Sequence, residues 1–388
     1  MKNIRRIAAA LIAVAMLAVF AGCGDQSWSY RTSDVSLTAG DYIYNLLNAY
    51  YEGYDLVESP DEAKKILDEE GTDSDGNTKT LEQYAMDGAD ETTLKMLAVE
   101  TLFKQYGLEL NETDYETSST YASQIWGSIK DRFEEYGISE ESFTYCYAEY
   151  GIKYGQVFEK LYSKDGEKAV SDDELVKYFK DKYTGYAYFS ISMADYDEQT
   201  GESVAKSEDE FKKTEDYLKS YTTLINSKGN SYEDVVEKYM ADFEYPTDPT
   251  LSGSVDLEDT TMNETIVDAL KSLKEGQAKF VKSGEDAATM YYFVYRPTTD
   301  SIIDFLDTED TEDVETLDVP ETFDDATDTA YIYPLKSGYT HYSLLNEMKS
   351  DEYDDYLNEF AKTLTVEKNS NIVNNFKPKM FVEKNSDK

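Results

Sequence analysis

Histidine is all but missing from this sequence: His341 is the only one in 388 residues. Ser-His-Asp and Cys-His pairs, HExxH zinc helices and His-rich metal cages all need imidazoles in a number or setting this chain does not offer. His341, next to Tyr342, reads as an ordinary surface or capping residue. Cysteine is nearly as scarce. Of the two, Cys146 lies among aromatics in Phe143-Thr144-Tyr145-Cys146-Tyr147 and reads as a buried structural thiol rather than a reactive one. There is no GxGxxG and no GxxxxGK[ST], so nucleotide binding has no support and no cofactor is expected. Positive charge is the third shortage. Against 80 acidic residues stand 37 Lys and Arg, a net charge of −43. Such a surface repels nucleic acid and anionic membranes, which excludes both as partners of the protein body. It suits basic clients, or plain solubility.

What is present argues for folded domains. Hydrophobic residues make up 40% of the chain and there are 35 tyrosines, too many for global disorder. Tyrosine supplies adaptable contact surface with a polar tip, and it is also a common core and strand residue, the reading favoured for most of them. The N-terminus carries the most specific signal. Lys2, Arg5 and Arg6 precede an apolar run from Ile7 to Phe20, followed by Ala21-Gly22-Cys23 and a polar stretch. A basic start, a short apolar core and a small-residue cleavage site define a secretory signal peptide over residues 1–22, too short for a membrane span. The Cys at its end resembles the lipobox of bacterial lipoproteins, with Phe20 where that motif usually has Leu. The resemblance implies that Cys23 is acylated, palmitate being a typical chain, and becomes the new N-terminus at the outer face of the cell membrane. Two chains at about 0.8 kcal/mol per buried CH₂ give a stable anchor. With Cys23 modified, Cys146 has no partner for an intrachain disulfide.

Residues 23–35 read as a lipidated polar tether. Four helix starts then share one grammar: Leu37-Thr38 before Tyr42, Leu110-Asn111 before Tyr115, Ile138-Ser139 before Phe143, and Val170-Ser171 before Leu175. Each has a capping side chain and an apolar pair spaced as a hydrophobic staple, and Ser171 with Glu174 adds a capping box. Helices are expected over about 38–54, 111–136, 139–162 and 171–182, with another over 81–106 stopped by Gly107. A helical domain thus occupies 36–168. After Gly185 the pattern turns to strands at 186–193, 278–281 and 290–295, with helices near 207–227, 231–240 and 263–272 between them, a small α+β domain over 170–299. Residues 300–335 form an acidic insert: 13 acids lie between Asp300 and Asp328, with no Lys or Arg between Arg296 and Lys336. Ile302, Ile303, Phe305 and Leu306 give it a local docking point. Helical pattern returns at 341–363 and a polar tail closes the chain. Asp73, Asp75, Gly76 and Glu82 fall at the spacing of an EF-hand loop, but Gly71 replaces its first carboxylate, so a solvated turn and no metal site is the reading.

The order of these segments resembles extracytoplasmic foldases that combine a SurA-type helical domain with a parvulin-type prolyl isomerase domain, the PrsA lipoproteins among them. Tyr106-Gly107-Leu108-Glu109-Leu110-Asn111-Glu112 and Tyr136-Gly137-Ile138-Ser139-Glu140-Glu141 look like the family's helix starts. Ala169-Val170-Ser171-Asp172-Asp173-Glu174-Leu175 resembles its junction into the isomerase domain. The resemblance implies a multidomain α+β fold, with the parvulin-like domain inserted before a C-terminal segment, 340–388, that completes the helical domain. The chemistry departs from the family. Ser190 stands where the first strand carries histidine, and Tyr292 where the last strand carries another. Asp242 matches the acidic position after the second helix, and the Gly-rich loop is reduced to Ser252-Gly253-Ser254-Val255-Asp256. Met262, Ile266 and Leu270 match the substrate pocket and imply a proline-sized apolar groove. No catalytic residue is therefore assigned, and weak or absent isomerase activity is expected. The resulting expectation is a membrane-anchored foldase or chaperone for unfolded exported proteins. The alternatives are a noncatalytic cell-surface binding lipoprotein and an active peptidyl-prolyl isomerase with substitutes for histidine.

Overall fold

The computed structural model describes residues 27–58, 63–74, 76–197, 199–243, 251–306 and 335–385. The signal segment with Cys23, Asp75, the proline-bearing loop near 245–249 and most of the acidic insert lie outside the described residues. The chain divides into two compact units, one running to Ala169 and resuming at Lys349, the other spanning Val170–Met348.

The first unit opens on strands β1 (Trp28–Arg31) and β2 (Ser36–Thr38). This corrects the expectation of a tether through residue 35. Ser29 and Tyr30 are buried, and the Ser29 hydroxyl donates to the carbonyls of Leu37 (3.2 Å) and Thr38 (2.6 Å). A polar side chain satisfied by neighbouring backbone buries at little cost, which is why a polar-looking segment can be a strand. Helix α1 (Ala39–Tyr54) follows, then the hairpin β3 (Glu70–Thr72) and β4 (Thr78–Thr80), then α2 (Leu81–Gln105) and α3 (Glu112–Tyr136). Asp73 closes that hairpin: its carboxylate accepts the Asn77 backbone N–H at 2.8 Å and the Asn77 amide at 3.1 Å. The stretch 140–162 is helical throughout, as α4 (Glu140–Thr144), a π turn (Tyr145–Glu149) and α5 (Tyr150–Tyr162). Cys146 sits in the π turn, where burial pushes its thiol up, away from reactivity.

The second unit begins with α6 (Asp172–Lys182), whose Ser171–Glu174 capping box is present. Strand β5 (Thr184–Ser192) leads into the hairpin β6 (Ala194–Asp197) and β7 (Glu202–Ala205), then α7 (Glu208–Lys228) and α8 (Tyr232–Asp242). Strand β8 (Leu251–Val255), helix α9 (Glu264–Ser272) and strands β9 (Gln277–Ser283) and β10 (Met290–Arg296) complete the sheet. Its order is β8-β5-β10-β9, antiparallel throughout. Ser252–Val255, expected as part of a reduced loop, is edge strand instead, paired from Thr184↔Val255 to Tyr188↔Leu251. The head of the acidic insert is seated: Ile302 and Phe305 are buried, and the Phe305 ring lies 5.1 Å from that of Phe179.

Helix α10 (His341–Thr363) carries the chain back into the first unit, followed by β11 (Glu367–Lys368), α11 (Ser370–Val373) and α12 (Lys379–Asn385). Strand β11 pairs with β1 through Tyr30↔Lys368. Val373 and Phe381 enter the core built by Tyr42, Leu46, Leu97, Trp126 and Phe143. Residues far apart in the chain thus share one apolar core, which makes the helical unit discontinuous in sequence.

Candidate functional site

Alternation along β5 decides what each face of the sheet does. Ala187, Phe189 and Ile191 are buried, while Tyr186, Tyr188 and Ser190 between them are half-buried. Side chains of a strand point to opposite faces in turn. The first set packs under α7 and α8 with Leu218, Tyr221, Val235 and Tyr239, and with Phe293 of β10. Phe189 stacks on Tyr239 at 4.0 Å and on Phe293 at 5.0 Å between ring centroids. Helix α9 covers part of the other face, where Ile266, Ala269 and Leu270 meet Val255 and Val294.

Beside α9 this second face remains half open, and it is the candidate site. Ser190 and Tyr292 are direct cross-strand partners, with Val281 of β9 opposite Tyr292 on its other side. The two positions that the sequence aligned with family histidines therefore face the same way on adjacent strands. Tyr188 lies 6.4 Å from Tyr292 and 6.0 Å from Tyr186, so three tyrosine rings run in a row. Leu257 and Met262, from the segment between β8 and α9, pack on the same buried cluster beneath α9 as these three tyrosines. At Gly253 a Cβ would stand 2.9 Å from the Tyr186 hydroxyl oxygen, so the glycine leaves room for that ring to lie across the edge strand. Burial pushes the Tyr186 phenol upward, which keeps it a neutral hydrogen-bonding group across the working pH range.

The other sequence-derived site residues are placed differently. Asp242 ends α8, where its carboxylate accepts the Tyr221 hydroxyl at 2.8 Å and pairs with Lys238 at 2.9 Å. Tyr221 belongs to the helix-covered core, so Asp242 is not brought to Ser190 and Tyr292. Its assignment to the site is corrected on that ground: α8 packs against the opposite face. Ile266 and Leu270 are 1% and 0% exposed, members of the closed core beneath α9, and of the three expected groove residues only Met262 is half-buried. An apolar pair four apart on one helix turned inward is core, so Ile266 and Leu270 do not line a groove. Sequence reasoning passed over Tyr186, Tyr188 and Leu257. The signal was there: two tyrosines at the parity of Ser190 in a strand share its face.

Chemically, the arrangement offers aromatic faces, phenol hydroxyls and one serine. Among the described residues no group of three His, Cys, Asp or Glu side chains is gathered as metal ligands, and no helix is long and apolar enough to cross a membrane.

No family model and no curated protein matches the chain. Among solved structures, it is similar to the foldase protein PrsA from Streptococcus pneumoniae, at 14% identity and a TM-score of 0.31, over 80% of this chain and 99% of that one. It is similar to PrsA from Bacillus subtilis at 14% identity and 0.27, over 78% and 91%. For the foldase protein PrsA from Lactococcus lactis the values are 13% and 0.31, over 89% and 96%. Superpositions this loose leave the chemistry of the site to be argued from the chain's own residues.

Proposed function

We propose that this protein is a foldase-type chaperone of the bacterial envelope, anchored through Cys23, that holds exported chains on the tyrosine face of its α+β unit without isomerising their prolyl bonds. The observation that carries the reading is the Ser190–Tyr292 pair, in register at the two positions where the family resemblance expects histidine. Rotation about an X-Pro bond requires no nucleophile and no proton transfer. It requires a site that favours the twisted amide over both planar forms, against a barrier of ~18–20 kcal/mol. One serine hydroxyl and three tyrosines supply contact area and hydrogen bonds, and they bind the planar and twisted amides without an imidazole pair to favour one over the other.

Holding asks for less. Tyrosine rings bury apolar segments at low conformational cost and tolerate many partners. The surplus of acidic groups keeps a protein with exposed aromatic surface soluble. The signal segment and Cys23 would place that surface where translocated chains emerge unfolded.

The test is suppression of aggregation of a chemically denatured secreted protein by this chain lacking its first 23 residues. The expected result is protection at near-stoichiometric amounts. Tyr188→Ala should raise the concentration for half protection about fivefold, the scale of losing one aromatic contact. Absence of protection, or protection indifferent to Tyr188→Ala and Tyr292→Ala together, would overturn the proposal.

A further inference from the structure

The helical unit carries a groove that the client-holding reading leaves unused. Ser118 and Tyr121 of α3 line one side, and Tyr147, Ala148, Gly151 and Ile152 of the π turn and α5 line the other, around a cavity of about 450 Å³. At Gly151 an added Cβ would meet no atom within 4 Å, so the missing side chain is open space between the helices. Tyr121 and Tyr147 stand beside it, 58% and 42% exposed. Tyr147 is held by the core: its ring stacks on Phe143 at 5.0 Å and 13°, and Phe143 stacks on the buried Trp126. This aromatic wall is rigid before any ligand arrives, which lowers the ordering cost of binding.

The groove is also free of charge, in a chain where 30% of residues are charged. Residues 117–129 include no Asp, Glu, Lys or Arg, and neither do residues 142–148. The flanking charges are engaged. Lys153 pairs with Glu100 of α2 at 2.7 Å, and Glu149 has both as charged neighbours. Asp114 accepts the Asn111 backbone N–H at 2.9 Å and the Gln156 amide at 3.0 Å, which ties α3 to α5 one turn beyond Ser118 and Ile152. Along α3, Thr117, Tyr121, Gln124 and Ser128 follow at helical spacing, a face of hydroxyls and one amide.

We propose that this groove binds a neutral polysaccharide strand, with one sugar ring lying on Tyr121 and Tyr147 and its hydroxyls turned to Thr117 and Gln124. A pyranose ring has an apolar C–H face and an edge of hydroxyls, so aromatic rings beside uncharged polar side chains serve both parts. An acidic polymer meets repulsion from a chain of net charge −43 and finds no cation in the groove to offset it. An unfolded protein segment carries a charge at about one residue in four, and finds no counter-charge here. The site lies in the unit that client holding does not use, so the two proposals stand or fall separately.

The experiment is calorimetric titration of the chain lacking its first 23 residues with cellotetraose, N-acetylated chitotetraose and tetragalacturonate. The expected result is saturable binding of a neutral tetrasaccharide, about tenfold or more tighter than tetragalacturonate and equal at low salt and at about 0.5 M salt. Tyr121→Ala should weaken it about tenfold, the scale of one lost aromatic contact. Gly151→Leu should fill the groove and abolish binding, with an equal or higher melting temperature, since leucine is the better helix former. If Gly151→Leu instead lowers the melting temperature, the exposed Tyr121→Ala decides. Both variants should suppress aggregation as well as the parent chain. No binding of either neutral tetrasaccharide, binding indifferent to Tyr121→Ala, or tighter binding of tetragalacturonate would overturn the proposal and leave client holding standing. Loss of aggregation suppression in a folded Gly151→Leu variant would assign the groove to clients and overturn it as well.

Discussion

Phe189 shows how the two faces of the sheet are kept distinct. It is wholly buried between Tyr239 and Phe293, while its chain neighbours Tyr188 and Ser190 look the other way. Truncation removes two stacked ring contacts and an edge contact with Tyr221, and leaves a cavity under α8. Phe189→Ala should cost about 3–5 kcal/mol of unfolding free energy, measured by denaturant titration of the chain without its first 23 residues. A loss below about 1 kcal/mol would mean that the strand is not anchored by this stack and that the tyrosine row has no fixed support. At this scale the site was half legible in the sequence. A motif locates Ser190 and Tyr292 as single positions, and only the pairing of β5 with β10 sets them side by side. Asp242 was misassigned because a motif says nothing of which face its helix will cover, and here the Tyr221 hydroxyl claims the carboxylate. Ile266 and Leu270 look the same in sequence whether they line a groove or fill a core; only the packing of α9 on Val255 and Val294 separates the two.

Among the elements, helices were read almost to the residue because their start signals are local. Thr38, Asn111 and Ser171 each form the reciprocal capping box, and Ser139 accepts the Ser142 N–H. Three of the four apolar staple pairs are buried. The fourth is not: Tyr115 is 54% exposed, so its cap alone marks that start. Strand β8 has no such local mark, since its pairing partner β5 is distant in the chain. Helix α10 provides a pH test of an element contact. Glu352 accepts Lys168 at 2.8 Å and Lys349 at 2.7 Å, and these two ammonium groups pull its carboxyl down to about 2. A carboxyl lower in the folded than in the unfolded chain, where it titrates near ~4.3, stabilises fully above that value and loses its contribution as pH falls towards 2. The side chain is 43% exposed, which limits the effect to about 1 kcal/mol or less. Glu352→Gln should therefore lower the melting temperature at pH 7 and leave it unchanged near pH 2. An equal loss at both values would contradict the ion-pair account.

On the scale of the whole molecule, the scarcity of histidine and the surplus of acid describe one strategy. A chain with a single His cannot furnish paired imidazoles at the sheet, and a net charge of −43 opposes self-association of a tyrosine-rich chain. In the α+β unit Ser190 and Tyr292 are cross-strand partners, so both hydroxyls lie on one face of the sheet. The helical unit closes on itself through its C-terminal strand and helices, a closure suggested by the returning apolar pattern at 341–363 and made by the pairing of β11 with β1 and the burial of Val373 and Phe381 in the core. The central claim is that this site binds and does not catalyse. It is tested most directly by measuring cis–trans exchange of a labelled Lys-Ala-Pro-Lys peptide by NMR, with the chain present at the concentration that suppresses aggregation. The account predicts peptide binding with an exchange rate equal to the uncatalysed one. Acceleration that disappears in Tyr292→Phe or Ser190→Ala would contradict it.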